Sequence, residues 1–145
     1  MSRAGGFTLV EVLLVVAILT IIVGVGTPVY ETFVRRNNLD ATNQTVVGML
    51  RRASTYARAV SGDSAWSVEL QSTGITLFKG AAFSTRDTNY DETTSLPASV
   101  TLGGLAEVQF TKFSGAPNTT GTITLSSTTN DTRTITVDGK GAVSY

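Results

Sequence analysis

A chain of 145 residues allows one modest domain, and 41% hydrophobic against 15% charged content excludes a chain disordered throughout. Eleven Lys and Arg balance 11 Asp and Glu, so the whole molecule offers no general electrostatic attraction for nucleic acid. With no cysteine there is no disulfide framework, and with no histidine the commonest general base and metal ligand is missing.

The first element is apolar. The stretch AGGFTLVEVLLVVAILTIIVGVG, from Ala4 to Gly26, contains one charged residue, Glu11. At about 1.5 Å per residue, a helix from Phe7 to Pro28 is roughly 33 Å long, enough to cross the hydrocarbon of a bilayer. A carboxylate in such a segment costs on the order of 2.5 kcal/mol or more by insertion scales, so Glu11 calls for a use. Two plainer readings stand beside a functional one. Arg3 and the small residues Gly24 to Gly26 have the layout of a secretory signal peptide, although its apolar region would be too long. A plain single-pass anchor fits the length, but with Arg3 before the span and Arg35 and Arg36 after it the positive-inside rule does not set its orientation.

Gly6, Phe7, Thr8, Leu9, Val10 and Glu11 read G-F-T-L-V-E, preceded by a short leader with one basic residue and followed by Pro28 near the end of the apolar run. This pattern resembles the processing site of type IV pilins and type II secretion pseudopilins. The resemblance implies that residues 1–6 are a leader, that a prepilin peptidase cuts between Gly6 and Phe7 on the cytoplasmic face, and that the new Phe7 amine is methylated. It also implies that Glu11 pairs with the Phe7 amine of a neighbouring subunit. Removal of Arg3 would leave a formal charge of −1.

Beyond Pro28, apolar residues fall at Val29, Phe33, Leu39, Val46, Val47, Leu50, Ala53, Ala57 and Val60, mostly three or four apart with a gap around Asn43. That spacing predicts an amphipathic helix laid on a domain. Gly24, Gly26 and Pro28 predict a kink or local melting between the two halves, since proline removes a backbone hydrogen bond; small residues that permit close helix packing are the equal alternative. Charge separates along the chain. Residues 31–60 carry five basic groups against two acidic, a formal +3, and residues 61–145 carry five against eight, a formal −3.

From Ser61 the apolar period changes to two. Trp66, Val68 and Leu70, then Ile75 to Phe78, Val100 to Leu102, Val108 to Phe113, Ile123 to Leu125 and Ile135 to Val137 predict short strands, and Asp138-Gly139 predicts a turn into a closing strand at Ala142 to Tyr145. These strands are expected to form one antiparallel sheet against the helix. Ala57-Arg58-Ala59, a Val-x-Leu strand, and a late G-x-I-x-L, R-x-I-x-V, D-G ending resemble the GspH/FimT kind of minor pseudopilin. The family resemblance implies an α+β pilin fold: a transmembrane and filament-core helix at 7–28, an amphipathic helix at 29–60 and a β-rich head at 61–145.

Asp87, Asn89 and Asp91 have the spacing of the first ligands of a calcium loop. The sixth position is Glu92 rather than Gly and the twelfth is Ala98 rather than Glu, so a solvated variable loop is expected over Gly80 to Pro97. Gly62-Asp63-Ser64 has the look of a serine-hydrolase block, but a serine nucleophile needs a base, and Lys79, Lys112 and Lys140 stand in no motif. No enzyme activity and no cofactor are expected. Asn43, Asn118 and Asn130 each begin an N-x-Thr triplet, a chance outcome in so threonine-rich a chain. Some relatives of the FimT kind bind DNA through a basic C-terminal patch; here Arg133 and Lys140 are the candidates, on an acidic head that argues against phosphate binding.

The expected role is therefore structural. A minor pilin or pseudopilin of a type II secretion pseudopilus or type IV pilus would have as partners other such subunits, the prepilin peptidase, the inner-membrane assembly platform, and the membrane before assembly. It would sit in the bacterial inner membrane with its head outside the cytoplasm, then in a periplasmic pseudopilus or surface pilus. A major pilin and a DNA-binding minor pilin are the alternatives.

Overall fold

The computed structural model describes residues 6–141, 143 and 144, and for residues 25–28 the backbone only. It is an α+β structure: one helix, α1 (Leu9–Arg58), followed by eight strands. The chain divides into two compact units, Met1–Val34 and Arg35–Tyr145.

In the first unit the N-terminal part of α1 is apolar on every side. The most apolar stretch of the helix has a mean hydropathy of 2.8 and buries none of its surface in the protein. A helix that is hydrophobic all round belongs in an apolar surrounding. The backbone is helical through Gly24, Gly26 and Pro28, so the local melting expected there is not seen. Side chains at 25–28 lie outside the described residues. Loss of a single hydrogen bond at proline is tolerated where the neighbouring turns on both sides are strongly helical.

The second unit is the head, built on the C-terminal part of α1. Leu39, Val46, Val47, Leu50, Ala53 and Ala57 are buried, as the spacing predicts, and Met49 joins them. Val29 and Phe33, placed in the same stripe by sequence, are exposed. Asn43, in the gap of the stripe, faces inward and is 6% exposed, and its Oδ1 has no hydrogen-bond partner among the described residues. The helix stops at Arg58 because the chain turns left-handed at Val60, with φ 53°, and again at Gly62. Val60 is held there by hydrogen bonds from its N–H to the Ala57 carbonyl (3.2 Å) and from the Asp63 N–H to its own carbonyl (3.0 Å). A β-branched residue in this region is an uncommon choice, which explains why the helix end is not legible from a glycine signal.

The strands are β1 (Trp66–Gln71), β2 (Gly74–Lys79), β3 (Asp87–Ser95), β4 (Val100–Gly104), β5 (Glu107–Phe110), β6 (Gly121–Ser127), β7 (Thr132–Val137) and β8 (Val143–Ser144). They form two antiparallel sheets rather than the single one expected, in the orders β3-β2-β1-β5 and β4-β6-β7-β8. Trp66, Val68, Leu70, Ile75, Leu77, Val108 and Phe110 of the first sheet share one core with Val100, Ile123, Leu125, Ile135, Val137 and Val143 of the second and with the buried helix residues. Two sheets divide the strands because each inner face, alternating apolar and polar, needs its own cover, and a single helix supplies both.

Two boundaries differ from the sequence reading. Gly80 to Pro97 is not a loop: β3 lies within it as a polar edge strand, exposed or half-buried along its whole length, so its residues show no apolar alternation. The strand expected at Val108 to Phe113 ends at Phe110, because Phe113 turns left-handed (φ 72°) and its N–H bonds the Ala57 carbonyl of α1 at 3.1 Å. The closing strand is present as β8; Ala142 and Tyr145 lie outside the described residues.

Candidate assembly site

The N-terminal segment begins outside the helix. Gly6, Phe7 and Thr8 have no regular secondary structure and are exposed, with Phe7 at 83%. The rest of the expected leader, residues 1–5, lies outside the described residues. A peptide bond ahead of a helix is open to a protease, which must take its substrate extended, without unwinding a turn.

Thr8 is the N-cap of α1. Its Oγ1 accepts the Glu11 N–H at 3.3 Å, and the Val12 N–H bonds the Thr8 carbonyl at 3.2 Å. Glu11 therefore stands three residues past the cap, where a carboxylate faces the positive end of the helix dipole. The signal for this cap in the sequence is the spacing Thr-x-x-Glu from Thr8 to Glu11, separate from the charge of Glu11 in an apolar span. Helix geometry places Phe7, before the first turn, at the same end as Glu11. Among the described residues no cation is paired with Glu11.

Further along this unit, Val16, Leu19, Thr20, Val23 and Gly24 line a shallow apolar groove. They follow one helix face at spacings of three and four. The Thr20 hydroxyl donates to the Val16 carbonyl at 2.7 Å, so the groove carries no unsatisfied polar group from that residue.

The opposite charges of stem and head meet within the head. Arg36 pairs with Asp131 at 3.2 Å, Arg52 pairs with Glu92, and Asp40 of the helix pairs with Arg133 of β7 at 2.9 Å. The Asp131 carboxyl is held below the ordinary range by the Thr129 hydroxyl and by Arg36, and the Asp63 carboxyl is lowered by Lys112. Uncharged groups are drawn in as well. Arg35 Nη1 donates to Thr128 Oγ1 at 2.7 Å, Arg51 Nη2 to the Val143 carbonyl at 3.3 Å, and Arg58 Nη2 to the Lys140 carbonyl at 3.1 Å.

The two residues considered for DNA are not brought together. Arg133 is the second residue of β7 and is engaged by Asp40, whereas Lys140 is exposed in the turn beyond the end of the same strand. Asp87, Asn89 and Asp91 are in a strand instead of a loop. Asp87 lies 3.8 Å from Lys79 and accepts from Asn89, while Asp91 pairs with Arg86 at 2.7 Å. Among the described residues no group of three or more acidic side chains is arranged to hold a metal ion.

Residues 1–27 match the family described as the prokaryotic N-terminal methylation motif. The match covers the N-terminal segment and indicates that this segment is like that of a type IV pilin-like prepilin. The long helix followed by antiparallel sheets is consistent with the pilin fold. Neither a curated protein nor a solved structure matches the chain.

Proposed function

We propose that this chain is a minor pilin or pseudopilin, a non-catalytic subunit of a type II secretion pseudopilus or type IV pilus, of the GspH/FimT kind. Prepilin peptidase cuts it between Gly6 and Phe7 and methylates the Phe7 amine. It is held in the inner membrane by the apolar part of α1, with the head outside the cytoplasm, until an assembly platform moves it into a filament beside other subunits. The observation that carries this reading is the junction of the methylation motif with a capped helix whose most apolar stretch is wholly unburied in the protein. Such a surface calls for lipid first and neighbouring helices afterwards.

Within the filament, Glu11 pairs with the Phe7 amine of the preceding subunit. Both groups are charged and both enter an apolar surrounding, so each relieves the penalty of the other, and the pair fixes axial register. Gly24, Gly26 and Pro28, helical here, are the place where the helix yields when subunits are drawn close. The DNA-uptake alternative loses support because Arg133 is occupied by Asp40.

The intact mass of the protein extracted from native membranes tests the processing step. The expected mass is that of residues 7–145 plus one methyl group; a full-length mass, or one starting after Gly26, overturns the proposal. Replacing Glu11 tests the lock. Leaving one partner of a buried pair uncompensated costs about 3 kcal/mol, roughly a hundredfold in an equilibrium constant. The Glu11→Ala and Glu11→Gln subunits are therefore expected at normal levels in the membrane but almost absent from sheared filaments. Normal filament content would remove the pairing role.

A further inference from the structure

The outer face of the β3-β2-β1-β5 sheet, away from α1, holds a second and smaller buried cluster. Phe78 of β2 is fully buried yet stands outside the main core, covered by Phe83, whose ring meets it edge-on with centroids 5.5 Å apart. Phe83 belongs to the segment Gly80 to Arg86, which crosses this face as a strap. Arg86 closes it: its guanidinium lies 3.7 Å from the Phe83 ring centroid, its Nη1 donates to the Phe83 carbonyl at 2.8 Å, and its Nε pairs with Asp91.

Glu69 of β1 and Glu107 of β5 are directly opposite each other on the same face. Cross-strand neighbours have Cβ atoms about 5 Å apart, and like charges there repel. Glu69 Oε2 is buried without a hydrogen-bond partner, and the backbone of Phe83 in the strap acts on the Glu107 carboxyl. Around the pair, the face offers Ser67 and Gln71 from β1, Thr76 and Phe78 from β2, and Gln109 from β5, all uncharged. Thr76 is spent on Thr93 and Gln109 on Asn118. The charged groups at the strap, Arg86 and Asp91, are paired with each other. No cation offsets the two glutamates from these elements, and an ionised pair would leave an orphaned oxygen between two like charges.

We propose that Glu69 and Glu107 share one proton and form a pH-sensitive latch under the Gly80 to Arg86 strap. With the proton on Glu107, its carboxyl donates to Glu69 Oε2, β5 stays paired to β1, and the strap stays seated over the pair. When the proton leaves, repulsion and the buried unpaired oxygen loosen β5, a four-residue edge strand backed only by the short return at Pro117 and Asn118. Burial and the Glu69 charge push the Glu107 carboxyl up, which agrees with a retained proton. A folded-state value above the unfolded one means that the native head binds the proton more tightly. Its contribution is then fully present below the ordinary glutamate range, about 4.3, and is lost as pH rises through the folded value. This device is independent of the filament role.

Thermal unfolding of the full chain in detergent, followed by fluorescence of the single tryptophan, Trp66, tests it. Between about pH 5 and about pH 8, where ordinary carboxylates no longer titrate, the wild-type melting temperature is expected to fall by several degrees. Glu107→Gln keeps the side chain's size and gives Glu69 Oε2 a permanent donor. It should melt higher than wild type at the alkaline end and show a nearly flat profile. Hydrogen exchange at the Glu107 to Phe110 amides should accelerate with pH more steeply in wild type than in the variant. Superimposed profiles, or a variant that melts lower at alkaline pH, overturn the proposal. Stabilisation of wild type but not of Glu107→Gln by calcium overturns it too, since the pair would then be a cation site.

Discussion

Gly104→Ala is expected to destabilise the head by about 3 kcal/mol or more, a large share of the roughly 5–15 kcal/mol that holds an ordinary domain together. Gly104 ends β4 with φ +89°, where an L side chain is strained, and a Cβ built on it would lie 2.1 Å from the Thr122 carbonyl oxygen. The obstacle is backbone, so no rotamer change relieves it. The same oxygen accepts the Leu105 N–H at 3.1 Å, and moving it would open the end of the β4–β6 ladder. Gly103 provides the control within the same strand. Its nearest neighbour to a new Cβ is 3.9 Å away and its φ is ordinary, so Gly103→Ala should be neutral or stabilise by about 0.4–1 kcal/mol. Denaturant unfolding of the two variants beside the parent, read at equal slopes, gives the comparison; equal effects would remove the steric explanation.

Phe110→Ala is expected to cost about 3–5 kcal/mol, the usual range for deleting a fully buried aromatic side chain. Phe110 is 0% exposed, at the end of β5 opposite Trp66, and is among the largest side chains in the core. Phe113, three residues on and 71% exposed, is the contrast: Phe113→Ala should fall within about 0.5 kcal/mol of the parent. A loss at Phe110 below about 1 kcal/mol would mean that the edge strand contributes little to the core.

The parts of the molecule legible in the sequence are those in which one physical period runs uninterrupted. The Leu39 to Ala57 stripe follows the helix repeat because one face is buried, and β6 and β7 alternate because one face of each is buried as well, whereas β2 is apolar on both faces because Phe78 is buried opposite Ile75 and Leu77. The strand β3 was not legible, since an edge strand of Thr, Asp and Glu has the composition of a loop and gains its structure from pairing with β2. The split into two sheets could not be read either, because alternation fixes faces and not neighbours. At the candidate site, G-F-T-L-V-E and the apolar run were plain. The capping geometry of Thr8 and Glu11 was present as a spacing, and the exposure of Phe7 ahead of the first turn required the structure. The opposed charges of residues 31–60 and 61–145 became intelligible only as named pairs, such as Arg36 with Asp131.

The helix that completes the core is made before the strands that cover it. Leu39, Val46, Leu50, Ala53 and Ala57 leave the ribosome before any of those strands, and Val143, in the same core, follows Ala57 by more than 80 residues. Little of this core can therefore close during synthesis. Loop-closure entropy must be met over nearly the whole head before burial repays it, which places the fold among the slower topologies. During that interval the stripe of α1 is an adhesive surface on a nascent chain.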